Sequence, residues 1–230
     1  MDKEYRKVII SIIIIVIVVV GIGIFWKYKQ ESKFISSIEK DVISFLEKYA
    51  LLEGDQAKLN NAINILRENP EDVSALITIA KIRREAGDLD GALEFYLKAL
   101  EIQPTNVVAL DNLANLYNHY KKEYERSAEM YLRLTENAPE RVSAYQLLMY
   151  IYWNCIPEKY PDMEQILLTG IEKTSDITEY APVDFYIMLG DFYANVEETN
   201  KATEYYEIVM KLTPDNEIVK IKIEQLKELK

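Results

Sequence analysis

Residues 189–214 read Leu-Gly-Asp-Phe-Tyr-Ala-Asn-Val-Glu-Glu-Thr-Asn-Lys-Ala-Thr-Glu-Tyr-Tyr-Glu-Ile-Val-Met-Lys-Leu-Thr-Pro. The stretch is two helical segments joined by a polar turn at Glu197-Glu198, with Pro214 closing the second. Small residues, Gly190 in the first segment and Ala202 in the second, let the two helices approach closely, and large Tyr and Leu side chains fill the space between. The same rhythm runs back through the chain. Val73-Ser74-Ala75-Leu76 recurs as Val107-Val108-Ala109-Leu110 and as Val142-Ser143-Ala144-Tyr145, at spacings of 34 and 35 residues. Pro70, Pro104 and Pro139 precede these starts, and no alternating strand pattern occurs after residue 33. A period near 34 with two helices per unit is the signature of a helical solenoid.

These residues resemble the tetratricopeptide repeat family, whose pattern runs W-x2-L-G-x2-Y, then A-x3-F, then P. Leu189-Gly190-x2-Tyr193, Ala202-x3-Tyr206 and Pro214 carry the clearest match. The repeat at 73–106 has Leu76, Ile79-Ala80, the Gly87-Asp88 turn, Ala92, Tyr96, Ala99 and Pro104. The repeat at 107–141 has Leu110, Leu113-Ala114, Tyr117, Tyr131 and Pro139, with one extra residue expected in the turn at 121–126. The repeat at 142–175 keeps Tyr145, Leu148-Met149 and Tyr152, but Ile156-Pro157-Glu158-Lys159-Tyr160-Pro161 replaces its turn and its second helix is divergent. A spacer at 176–182 leads to the repeat at 183–216, and residues 39–72 read as a degenerate first repeat. Residues 217–230 set Ile218, Ile221, Ile223, Leu226 and Leu229 among Lys and Glu, as the capping helix of a solenoid end does. The resemblance implies an all-α, right-handed helical-hairpin solenoid over 39–216.

The other end of the chain is of a different kind. Residues 8–26 are 19 positions without a charge, Ser11 being the only polar one. As a helix they span roughly 28 Å, close to the ~30 Å of a hydrocarbon core. Trp26 and Tyr28 suit an interfacial belt, and Lys27, Lys29 and Lys33 can reach head groups. The run ends in Phe25-Trp26-Lys27, which offers no A-x-A-like cleavage site, so an uncleaved transmembrane helix is expected after a short tail at 1–7 and before a juxtamembrane segment at 27–38. Lys3, Arg6 and Lys7 before the run balance the three lysines after it. The basic amino-terminal tail favours the cytoplasmic side, so the repeats are expected on the extracytoplasmic face of the cell membrane.

Charge follows this division. The whole chain carries −11, whereas residues 1–33 hold six Lys/Arg against three acids and residues 34–216 hold 17 against 32. An acidic body is a poor general binder of nucleic acid, whose phosphates demand Lys and Arg. It should also stand off an anionic lipid surface. One cysteine, Cys155, rules out an intrachain disulfide framework and a Cys-rich metal site. His119, the one histidine, reads as a helix-end residue with no second ligand or base beside it. No glycine-rich phosphate loop, nucleophile elbow or H-E-x-x-H sequence occurs.

In the family the first helices of successive repeats line a groove for a peptide or a partner's helix. Carried onto this sequence, the groove residues are Lys81, Arg84, Asp111, Asn112, Asn115, Asn118, His119, Gln146, Tyr150, Trp153, Asn154, Asp191 and Asn195. Asn112, Asn115 and Asn118 recur every third position, where their amides can pair with a ligand backbone, and Tyr150 and Trp153 offer aromatic anchors. Some members clamp a partner's terminal carboxylate with a Lys and Asn set. Asn112 matches one such position, but Ile77, Lys81, Ser143 and Leu147 occupy the others, so that clamp is not assembled in this register. The sequence therefore describes a membrane-tethered scaffold for a protein or peptide partner, with no enzyme activity, cofactor or small-molecule substrate. The alternative is a structural subunit of a larger membrane assembly.

Overall fold

In the computed structural model the described residues are 3–175 and 181–228, with side chains at 16, 18–175 and 183–228. All their regular elements are helices: α1 Lys3–Lys48, α2 Glu53–Glu68, α3 Val73–Glu85, α4 Leu89–Ile102, α5 Val107–Asn115, α6 Tyr124–Asn137, α7 Val142–Cys155, α8 Met163–Thr174, α9 Ala181–Asn195, α10 Thr199–Leu212 and α11 Glu217–Glu228. A π-helical turn, Leu116–Lys121, extends α5, and a 3-10 turn, Pro157–Asp162, precedes α8. The fold is the helical-hairpin solenoid of tetratricopeptide repeats. The chain divides into two compact units, the boundary lying between Phe95 and Tyr96 within α4.

In the first unit α1 packs on α2, and α2 on α3. Ile38, Val42 and Phe45 of α1 are buried together with Leu59, Ala62 and Leu66 of α2, the period of one helical face on each. The first helix of the degenerate repeat is thus the C-terminal part of α1, and no break separates it from the apolar run. Among the described residues no helix is long and apolar enough to cross a membrane; the side chains of residues 8–15 and 17, within the expected span, lie outside them. The described part, from Val16 to Trp26, leaves Val18, Val19, Val20, Ile22, Ile24, Phe25 and Trp26 exposed. α2 returns along α1, and the turn that follows brings Glu71 Oε1 to 3.8 Å from Lys27 Nζ.

Arg83 sits at the centre of this unit, 3% exposed. Its Nη1 donates to Asp88 Oδ2 at 2.7 Å, its Nη2 donates to Asp41 of α1, and the guanidinium lies over the rings of Phe45 and Phe95. Gly91 is required beside it, because a Cβ there would lie 2.2 Å from Nη1.

In the second unit α5 pairs with α6, α8 with α9, and α9 with α10, while α6 meets α7 and α10 meets α11. Gly190 lets α9 and α10 touch, since a Cβ there would lie 2.3 Å from the Tyr206 ring. Gly170 does the same for α8 against Phe185 and Tyr145. Asn106 and Asn216 cap α5 and α11 from the position two residues after Pro104 and Pro214, as Asp72 caps α3 after Pro70. The extra residue expected at 121–126 is taken up earlier, by the π turn. Glu123 N–H bonds Tyr117 C=O across six residues, where the matching bonds Asp88 to Arg83 and Glu198 to Tyr193 span five. Each turn then passes through the left-handed region, at Gly87 (φ 89°), Lys122 (φ 58°) and Glu197 (φ 63°). The expected spacer, 176–182, falls outside the residues with described side chains.

Candidate functional site

In the second unit a cleft of about 540 Å³ opens between α7, α9 and α11, with Tyr160 in its wall. Five expected groove residues meet there: Tyr150, Trp153 and Asn154 from α7, and Asp191 and Asn195 from α9. Tyr150 is 58% exposed and Trp153 46%, so both present aromatic surface to solvent. Trp153 is held edge-on against Tyr160 with centroids 4.7 Å apart, and Tyr160 leans on Phe192 at 5.2 Å. This aromatic backing fixes the indole while leaving its outer face open, the arrangement of an anchor in a recognition site.

The polar floor is tightly bonded. Asp191 accepts from the Tyr206 hydroxyl and from Lys222 Nζ of α11. Asn195 Nδ2 donates to the Tyr160 hydroxyl at 2.8 Å, and Asn154 Nδ2 donates to Tyr150 C=O at 2.8 Å. Burial raises the Tyr206 pKa, and donation to Asp191 raises it further, so the phenol keeps its proton. Burial also raises Tyr160, partly offset by the bond from Asn195. The floor offers amide groups, one ion pair and a phenol kept protonated by burial and by Asp191.

The other expected residues are placed differently. Asp111 and Asn115 join Arg141 in a lattice of their own: Asn115 Nδ2 donates to Asp111 C=O at 2.8 Å and to its Oδ1 at 3.0 Å, and Arg141 Nη1 donates to Oδ2 at 2.6 Å. Asn112 Nδ2 donates to Val108 C=O at 2.7 Å. The Nδ2 groups of Asn112 and Asn115 thus donate within α5. Asn118 is 6% exposed, so little of the third expected amide reaches solvent. Three-residue steps fall short of a 3.6-residue turn, and the π turn alters the phase again, so the third Asn leaves the face of the first two. His119 and Gln146 are exposed on the surface. Lys81 and Arg84, half-buried on α3, belong to the first unit. Among the described residues no group of three or more His, Cys, Asp or Glu could hold a metal ion.

Three contributors escaped the sequence reading. Tyr160 lies in the segment where the repeat rhythm fails. Lys222 and Gln225 belong to α11, read only as a cap. The available signal was positional: a helix stacked after α10 takes the place of a next repeat's first helix, which is the groove-lining one.

Comparison with known proteins agrees with this architecture. One tetratricopeptide repeat model matches residues 73–106 and 183–216, and a second matches 95–127. Residues 73–127 and 183–216 therefore carry tetratricopeptide repeats. It is 21% identical over 188 residues to tetratricopeptide repeat protein 8 of Caenorhabditis elegans, covering 79% of this chain and 36% of that protein. It is 40% identical over 73 residues to the uncharacterized protein ycf37 of Pyropia yezoensis, covering 31% and 41%. The chain thus spans well under half the length of these relatives. Among solved structures, a MamA protein superposes with a TM-score of 0.51 at 23% identity, over 69% of this chain and 82% of that one. The C-terminal part of a TPR repeat-containing protein from Cytophaga hutchinsonii gives 0.53 at 14%, over 70% and 64%. These likenesses establish the fold.

Proposed function

We propose that this chain is a membrane-tethered scaffold that holds a peptide or protein segment in the cleft between α7, α9 and α11 and performs no chemistry of its own. The observation that carries the reading is the pair Tyr150 and Trp153, exposed at a cleft whose floor is already hydrogen-bonded. Large aromatic side chains left open to water beside a preorganised polar floor favour binding of an extended segment, with the aromatics carrying most of the energy. Tethering is supported by the uncharged residues 8–26 and by the exposure of their described apolar side chains. The basic tail before them supports repeats on the extracytoplasmic side.

The binding test is partner capture with Trp153→Ala/Tyr150→Ala against the unaltered chain, with helicity followed by circular dichroism. Loss of the captured species at unchanged helicity supports the cleft; undiminished capture removes it. Protease accessibility of a C-terminal tag in intact cells, with lysed cells as control, tests the side of the membrane, and protection until lysis would move the repeats to the cytoplasm. A second reading, a structural subunit, is favoured by Ile218 and Ile221, which α11 leaves exposed. A monodisperse monomer in mild detergent would count against it.

A further inference from the structure

We propose that the segment held between α7, α9 and α11 is an uncharged, proline-bearing one in the polyproline conformation. The inference rests on the reading of that cleft as a recognition site, and it names the chemistry of the occupant. Charge is the first guide. Among the described lining residues the charged ones are Asp191 and Lys222, and they are spent on each other: Lys222 Nζ donates to Asp191 Oδ1, which also accepts from the Tyr206 hydroxyl. These residues include no second cation to take a terminal carboxylate and no second anion to take a lysine or arginine. In a body with a large excess of acids, the cleft itself is neutral.

Two donors of the site stand without acceptors. Tyr160 is 3% exposed, and its hydroxyl oxygen accepts from Asn195 Nδ2 at 2.8 Å, yet among the described residues nothing accepts the hydroxyl's own proton. The indole N–H of Trp153, in ring contact with Tyr160, has no acceptor among them either. A buried donor left unmatched costs free energy, and an occupant that matches it must bring a carbonyl oxygen. Proline brings a carbonyl and no N–H, so a run of it meets both donors without importing donors that need acceptors in turn. Its ring packs on the open faces of Tyr150 and Trp153, which lie three positions apart on α7 and are therefore neighbours on the helix surface. With both rings about half open to water, the cleft grips one side of its occupant. A chain already fixed in the polyproline conformation loses least freedom on settling there.

The test uses the full chain in mild detergent, carrying Trp26→Phe so that Trp153 is its one tryptophan. The probes are hexaproline blocked at both ends, a blocked Gly-Ser peptide of the same length, and an acidic peptide with a free terminal carboxylate. Hexaproline should shift the Trp153 emission and bind about tenfold or more tightly than either of the others. With a labelled hexaproline read by anisotropy, Tyr160→Phe should weaken binding about fivefold, the scale of one hydrogen bond, and Trp153→Ala about thirtyfold, both at unchanged helicity. Equal binding of the Gly-Ser peptide, or preference for the acidic one, overturns the proline reading and leaves the cleft standing. Hexaproline binding that survives both substitutions overturns the site assigned to it. If no probe shifts Trp153, the proline reading falls, and partner capture by Trp153→Ala/Tyr150→Ala then decides the cleft: diminished capture keeps it, and undiminished capture removes it too.

Discussion

The turn that closes the first helix of a repeat donates its last backbone N–H to the carbonyl of Arg83 in the first unit, and to those of Tyr117 and Tyr193 in the second. The three residues hold one structural position with two chemistries. Where it is tyrosine, the ring fills space and the hydroxyl needs one partner: Tyr193 donates to Glu164, and Tyr117 lies under the guanidinium of Arg126. Where it is arginine, a buried cation needs anions on more than one side, and one of them, Asp41, comes from α1. The first unit is thereby fastened to its long helix by charge, while the second is held by aromatic packing.

High pH should separate the two most widely. The described phenols held above the usual tyrosine value, at 117, 131, 145, 152, 160, 193, 205 and 206, all belong to the second unit, each raised first by burial. Tyr145 is pushed up to about 12. A folded pKa above the unfolded value of about 10 keeps its stabilisation intact below pH ~10 and loses it as pH rises toward the folded value. Alkaline titration followed by hydrogen exchange should therefore open the second unit before the first, and simultaneous opening would break the contrast.

The next largest effect is Arg83→Ala. It leaves Asp88 and Asp41 without their shared cation and empties a packed site, at a cost of about 3–5 kcal/mol, read as accelerated exchange in α1–α3 with α9 and α10 unaffected. Arg83→Tyr should recover part of that loss, because the position takes tyrosine elsewhere. Gly190→Leu tests the aromatic side: forcing a side chain against Tyr206 should cost about 1–3 kcal/mol in a thermal melt. An unshifted melt would deny the close approach of α9 and α10. The smallest effect distinguishes the turns. Lys122→Gly relieves a left-handed residue that Gly87 already accommodates in the first unit, and should stabilise by about 0.5–1 kcal/mol in urea.

Much of this architecture was legible as spacing. The 34-residue period, the prolines and the small residues at 190, 114 and 80 are local signals of a helix that must approach another closely. What escaped was whatever depends on phase or on distant partners. The extra residue near 121 was visible by counting, but only backbone geometry assigns it to the π turn, and with it Asn118 to the interior. Arg83 stood in the aligned column unremarked, because its anions lie 42 residues upstream and five downstream. At the cleft, Tyr150 and Trp153 were found through their place in the repeat, whereas Lys222 was missed because a terminal helix has no following repeat to reveal its register.

The unbroken course of α1 from Lys3 to Lys48 makes the chain sensitive to helical phase. Each residue added between Lys33 and Ile38 would rotate everything before it by about 100° about the helix axis, and seven would nearly restore the original bearing. Azimuth, as well as reach, is therefore written into the length of that segment.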